Sequence, residues 1–363
     1  MTSLANASAA EIASPVTNAA RLFPVRVWLF TVAALVFAMV LVGGATRLTG
    51  SGLSITEWQP ILGVFPPLSE AAWQETFQKY QHIPEYELIN RGMSLSAFKA
   101  IYWWEWTHRL LGRFIGFVFL LPFLYFLARG SIPRRSIVPI GALFVLGGAQ
   151  GALGWFMVKS GLSDRVEVSQ YRLAAHLALA VAIGGYALWL GLSTREASRP
   201  GSKAEQGTWL KSGAGLLACL VYLQIIAGAF VAGLKAGHAS NTWPLMNGEI
   251  IPEGLNVYSP WYLNLFENPL TAQFTHRILA YVIAIFAAAF GALLWRSYPG
   301  MRAPIAAHLC AILLQIALGV LTIVLDVPLG MALAHQANAI IVFGLSIWTV
   351  RRANDDAYMA ASA

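Results

Sequence analysis

The sequence predicts an all-α integral membrane protein: eight transmembrane helices arranged as two pseudo-twofold-related four-helix bundles. Three observations lead there. Of 363 residues, 57% are hydrophobic and only 11% charged, against about 25% charged in an ordinary soluble domain. Apolar runs of the ~20 residues needed to cross a bilayer occur eight times. The two halves of the chain also repeat each other's histidine-bearing motifs.

Residues 1–25 are polar and Ala/Ser-rich and read as a disordered N-terminal segment, with no evident cleavable leader. The first half, 26–193, carries spans at about 26–46, 103–128, 137–158 and 173–193. Its large outer loop, 47–102, includes an amphipathic stretch from Glu70 to Tyr80, expected on the membrane surface. The segment 194–211 is rich in Gly, Ser, Pro and charge and reads as an inner linker. The second half, 212–350, carries spans at about 212–233, 270–295, 303–325 and 329–350. Residues 351–363 form a tail.

The net charge of +7 is topological and calls for no nucleic acid. Arginines concentrate in the short loop 129–135 and at Arg351-Arg352, as expected of segments on the cytoplasmic side. Both termini are therefore expected inside, in a multi-pass protein of the cell inner membrane. The only cysteines, Cys219 and Cys310, lie in apolar spans, so the outer loops have no thiol chemistry, and the absence of C-x-x-C-H excludes covalent haem.

Each even span contributes one histidine: His108, His176, His276 and His335. Two share the tripeptide Thr-His-Arg, at 107–109 and 275–277. An ionisable group in a bilayer is costly and argues for function. Four of them, in the opening turns of helices running inward, fall toward the outer leaflet. In each half, two can converge on one centre, as bundles build cofactor sites. Haem ligation fits this pattern. Zinc or copper is the alternative, although no H-E-x-x-H motif or nearby cysteine favours it.

Glu105 stands three residues before His108, on the same helix face, whereas Gln273 stands three before His276. Only the first half thus places a carboxyl beside its ligand, making it the candidate reaction centre. The plain alternative for Glu105 is a solvated interfacial residue. Arg47, Arg109 and Arg277 are candidates to pair with carboxylates such as propionates, or else they reach for headgroups. His308 reads as packed and His82 and His238 as solvated. Gly43-Gly44, Gly147-Gly148 and Gly184-Gly185 are expected where helices approach closely.

On the motifs GGATRLTGSGLSITEW (43–58), EWTHRLLGR (105–113), AAHLALA (174–180), QFTHRILAY (273–281) and LAHQAN (333–338), the chain resembles the haem A synthases. It is closest to their cysteine-free, proteobacterial or mitochondrial-type members. The resemblance implies an eight-helix fold in two halves and oxidation of a methyl group of haem O to a formyl group, with water as oxygen source. It assigns haem B iron to His276 and His335, with Arg277 beside them. It assigns the substrate haem iron to His108 and His176, with Arg109 and Arg47 beside them, and catalysis to Glu105. Haem O synthase, terminal oxidase assembly factors and a second copy of the chain are the candidate partners. The rival from the pattern alone is a non-catalytic b-type electron-transfer or haem-handling membrane protein, which leaves the Glu105/Gln273 difference without a purpose.

Overall fold

The computed structural model describes residues 15–59, 62–162, 168–193 and 208–360. Most of the expected N-terminal segment (1–14) and most of the linker (194–207) lie outside the described residues. Helices α1 (Pro15–Leu48), α2 (Glu70–Gln81), α3 (Pro84–Leu88), α4 (Leu95–Ala128), α5 (Arg134–Gly161) and α6 (Gln170–Ser193) make the first half. Helices α7 (Thr208–Gly233), α8 (Asn264–Glu267), α9 (Pro269–Ser297), α10 (Arg302–Val324) and α11 (Leu329–Ala360) make the second. Eight of them, α1, α4–α7 and α9–α11, are long and apolar enough to cross a membrane. The described residues contain no strand beyond one isolated bridge, Met246 to Glu249. The chain is an all-α, multi-pass membrane protein.

Local chemistry sets the helix ends. Ser94 caps α4 by accepting from Ala97 N at 3.2 Å, and Asn268 caps α9 by accepting from Leu270 N at 3.0 Å. Pro269 occupies the first position of α9, where its missing N–H costs nothing. After α4 the chain turns at Gly130, whose φ of 58° suits a residue without a side chain. Helix α1 begins at Pro15, well ahead of the apolar run near residue 26.

Two further differences from expectation share one cause. Helix α4 starts at Leu95 rather than near 103, and α2 is not laid on lipid by its apolar face. That face, Trp73, Phe77 and Tyr80, packs on Phe98 and Tyr102 of the early turns of α4. Aromatic contacts join them, with Phe77 to Phe98 at 5.0 Å and Trp73 to Tyr102 at 4.9 Å between ring centres. Burying the aromatic face against α4 removes it from water and holds the early turns of that helix in place.

The core lies in layers along the bundle. Val25, Trp28, Leu29 and Val32 of α1 pack with Phe119, Ile140, Leu143 and Ile183 in the first half. Residues of α1, α6, α7, α9, α10 and α11 form a second cluster that joins the two halves, among them Val40, Val181, Val221 and Phe343. The expected close approaches occur at Gly184, against Phe37, and Gly185, against Phe343. Gly147 and Gly148 face open space instead.

Candidate functional site

The four histidines occupy equivalent surroundings. Each ring stands against a glycine of the preceding membrane-length helix: His108 against Gly43, His176 against Gly154, His276 against Gly228 and His335 against Gly319. A β-carbon on these glycines would lie 3.1, 3.0, 3.2 and 2.9 Å from the respective Cε1 atoms. No larger residue fits without pushing the ring away, so glycine here serves close approach between helices.

Sequence reasoning missed a second layer. One helical turn before the glycine, α5, α7 and α10 carry Gln150, Gln224 and Gln315. Each Nε2 donates to the backbone carbonyl of its histidine, His176, His276 or His335, at 3.0 Å. Each also lies 3.1–3.3 Å from ring nitrogen. The Gln315 carbonyl in turn accepts from Asn338 Nδ2 at 2.8 Å. The spacing Gln-x-x-x-Gly on odd-numbered spans was the available signal. Helix α1 breaks it, with Met39 four residues before Gly43.

The rings of His276 and His335 lie 6.5 Å apart between centres, with planes at 72°. Two imidazoles on opposite faces of one metal ion, each bonded at about 2 Å, place their ring centres ~6 Å apart. The observed spacing fits an iron held between them. His108 and His176 are likewise electrostatic neighbours. Among the described residues no three His, Cys, Asp or Glu side chains gather as a metal site. The donor set is two imidazoles per half, which suits a metal whose other ligands arrive with a macrocycle and does not suit protein-bound zinc.

Glu105 is buried, 3% exposed, which removes its reading as a solvated interfacial residue. Its Oε2 accepts from Ile55 N at 2.7 Å and from Ser54 Oγ at 2.8 Å. Its Oε1 pairs with Arg109 Nη2 at 2.6 Å. An ionised carboxylate with this many donors is well satisfied. Gln273 is as buried, at 2%, but its Nε2 donates instead, to Ser240 O at 3.0 Å. The same loop position thus offers an N–H to the acid in one half and a carbonyl to the amide in the other.

The arginines act first on the chain itself. Arg109 donates to Glu57 O and Ile55 O at 3.0 and 2.9 Å. Arg277 donates to Thr242 O and Ser240 O at 2.9 and 3.1 Å, the corresponding loop positions of the second half. Its Nε is buried without a partner and is a donor open to an anion. Arg47 reaches Ala232 O at 3.4 Å, tying the end of α1 to the end of α7. Beside Arg109 and Arg113, a cavity of about 230 Å³ opens under the outer loop, lined by Glu57, Phe65, Lys79 and Tyr102 among others.

The remaining histidines stand outside the two pairs. His308 is buried and shares a 3.1 Å hydrogen bond with Ser346 Oγ. His238 pairs with Asp326 at 2.7 Å, both side chains exposed, and His82 is exposed.

Residues 26–347 match the family model described as cytochrome oxidase assembly protein, COX15-CtaA. The chain is 49% identical to a protein named heme A synthase from Parvibaculum lavamentivorans, over 90% of this chain and 93% of that one. It is 51% identical to another of that name from Bradyrhizobium diazoefficiens, over 90% and 91% of the two chains. A third, from Allorhizobium ampelinum, is 49% identical over 94% of this chain and 96% of its own length.

Proposed function

The chain belongs to the COX15-CtaA family of cytochrome oxidase assembly proteins, and on that premise we propose that it is a haem A synthase, an oxidoreductase acting on haem O. The observation that carries the proposal is the buried Glu105, one turn from His108, where the otherwise matching second half has Gln273. The relatives' printed name supports the activity.

In this reading His108 and His176 hold the iron of the substrate haem O, and His276 and His335 hold a resident haem B. Haem B, when bound, supplies a redox centre that can accept electrons and pass them on. The methyl carbon gains its oxygen from water. Methyl plus water gives formyl with the release of four electrons and four protons, in two successive oxidations. Glu105 takes protons from the reacting group and stabilises positive charge developing beside it. Ser54 and the Ile55 N–H fix one carboxylate oxygen, and Arg109 holds the other. The acid is thereby oriented in advance, as a catalytic group must be. Arg277, Arg109 and Arg47 provide cationic donors for propionates.

In this reading the protein sits in the cell inner membrane with both termini cytoplasmic and the histidines toward the outer leaflet, where water enters readily. Haem O synthase and terminal oxidase assembly factors supply the substrate and receive the product, and homo-oligomers are compatible with the lipid-facing surface. Incubating the purified protein with haem O and an electron acceptor, then chromatographing the extracted haem, tests the reading. Accumulation of haem A supports it. Unchanged haem O with both sites loaded overturns it in favour of an electron-transfer or haem-handling role.

A further inference from the structure

Three of the four candidate ligands are held by a glutamine of the preceding helix, and the fourth is not. Gln150, Gln224 and Gln315 fix the backbone carbonyls of His176, His276 and His335 and lie against their rings. The corresponding position beside His108 is Met39. Its Cε stands 3.2 Å from where a β-carbon on Gly112 would be, one turn beyond His108 on α4. The side chain therefore fills comparable space but has no N–H to give, and a thioether on three rotatable bonds is the most adaptable of core side chains.

Partners that orient a metal-bound imidazole typically alter metal affinity by about 10–100-fold when removed. A resident cofactor gains from holding both ligands. A substrate must leave in every turnover, so both of its iron–histidine bonds have to open, and one less firmly held ligand lets that begin. Resting on the assignment of His108 and His176 to the substrate, the geometry points to Met39 as the positioning residue that makes His108 the exchangeable ligand. The glutamines, by contrast, make the other three histidines lasting ones. Haem O then binds first to His176, and product leaves by opening the His108 bond first and the His176 bond second.

The test uses the full-length protein in detergent, loaded with haem O and haem B, with release followed as transfer to excess apomyoglobin. Met39→Gln is expected to slow loss of haem O about tenfold, and Gln150→Met to speed it by a similar factor. The low-spin ferric resonance of the first pair shifts in Met39→Gln and Gln150→Met, reporting a change in imidazole orientation that loss of stability alone would not produce. Wild-type release in both variants overturns the proposal. If Met39→Gln does not fold, unchanged release from Gln150→Met overturns it alone.

His108→Ala and His176→Ala run alongside. If neither alters haem O binding, the site assignment has failed. Gln224→Met then decides the clamp by itself, since unchanged release of haem B rejects it and faster release keeps it for the second pair.

Discussion

Gln336 on α11 lies over Gly44 on α1, in the space a β-carbon there would need. Its Nε2 donates to Val40 O at 2.8 Å. Gln336 follows His335, and Gly44 follows the glycine that backs His108. One contact between the halves therefore connects a candidate ligand of each site.

Gly44→Ala should be costly for that reason. Overpacking a filled contact costs about 1–3 kcal/mol, and here it also strips a hydrogen bond between halves. A lowered thermal unfolding midpoint is expected in detergent, with Gly147→Ala, which faces open space, as the matched control. Equal midpoints for the two variants would remove Gly44 from the interface argument.

Glu105→Gln should keep haem at both sites yet lose haem A formation by about 10²–10⁴-fold, the range for removing a positioned acid or base. Product is quantified by chromatography after incubation with haem O. Wild-type turnover would sink the assignment of Glu105.

His276→Ala should abolish the resident b-type spectrum while leaving haem O binding to the first pair. Gly319→Ala should weaken the same signal less severely by displacing the His335 ring from a contact that has no spare room. A purified His276→Ala protein with an unchanged spectrum would reverse the assignment of the two halves.

The outer cap should loosen in alkali. Burial, with the charge of Glu85 assisting, pushes the Tyr80 hydroxyl up to about 12, from an ordinary value of 10.0. The folded cap thus retains a proton that the unfolded chain gives up earlier. Its contribution is complete below pH ~10 and is lost as pH rises toward 12. Limited proteolysis of the loop across that window reads the effect, and Tyr80→Phe should flatten the dependence on pH.

Much of this was legible beforehand. Hydropathy marked the eight spans, because a membrane helix carries its signal in its own composition. The histidine pairs and the contrast of Glu105 with Gln273 needed only the spacing of residues on one helix. What escaped were contacts between helices. Gln150, Gln224 and Gln315 read as ordinary polar residues until the next helix brings a histidine against them. The early start of α4 was hidden because its first turns pack on α2, a segment that by itself reads as lipid-facing. Arg109 and Arg277 read as partners for propionates or lipid headgroups, whereas their forks are committed largely to loop carbonyls.

The glycine behind every histidine defines a smaller unit than the half-chain. A pair of successive spans supplies one ring and the notch that seats it, four times over: α1 with α4, α5 with α6, α7 with α9, α10 with α11. In the proposed reading one such hairpin would offer a single ligand to an iron. Two would be the least that hold it from both sides, and a third and fourth would allow a second iron to be held independently. The protein is then modular at the level of the hairpin. Differences confined to the hairpin of α1 and α4, Met39 and Glu105, leave the other three free to keep a common design.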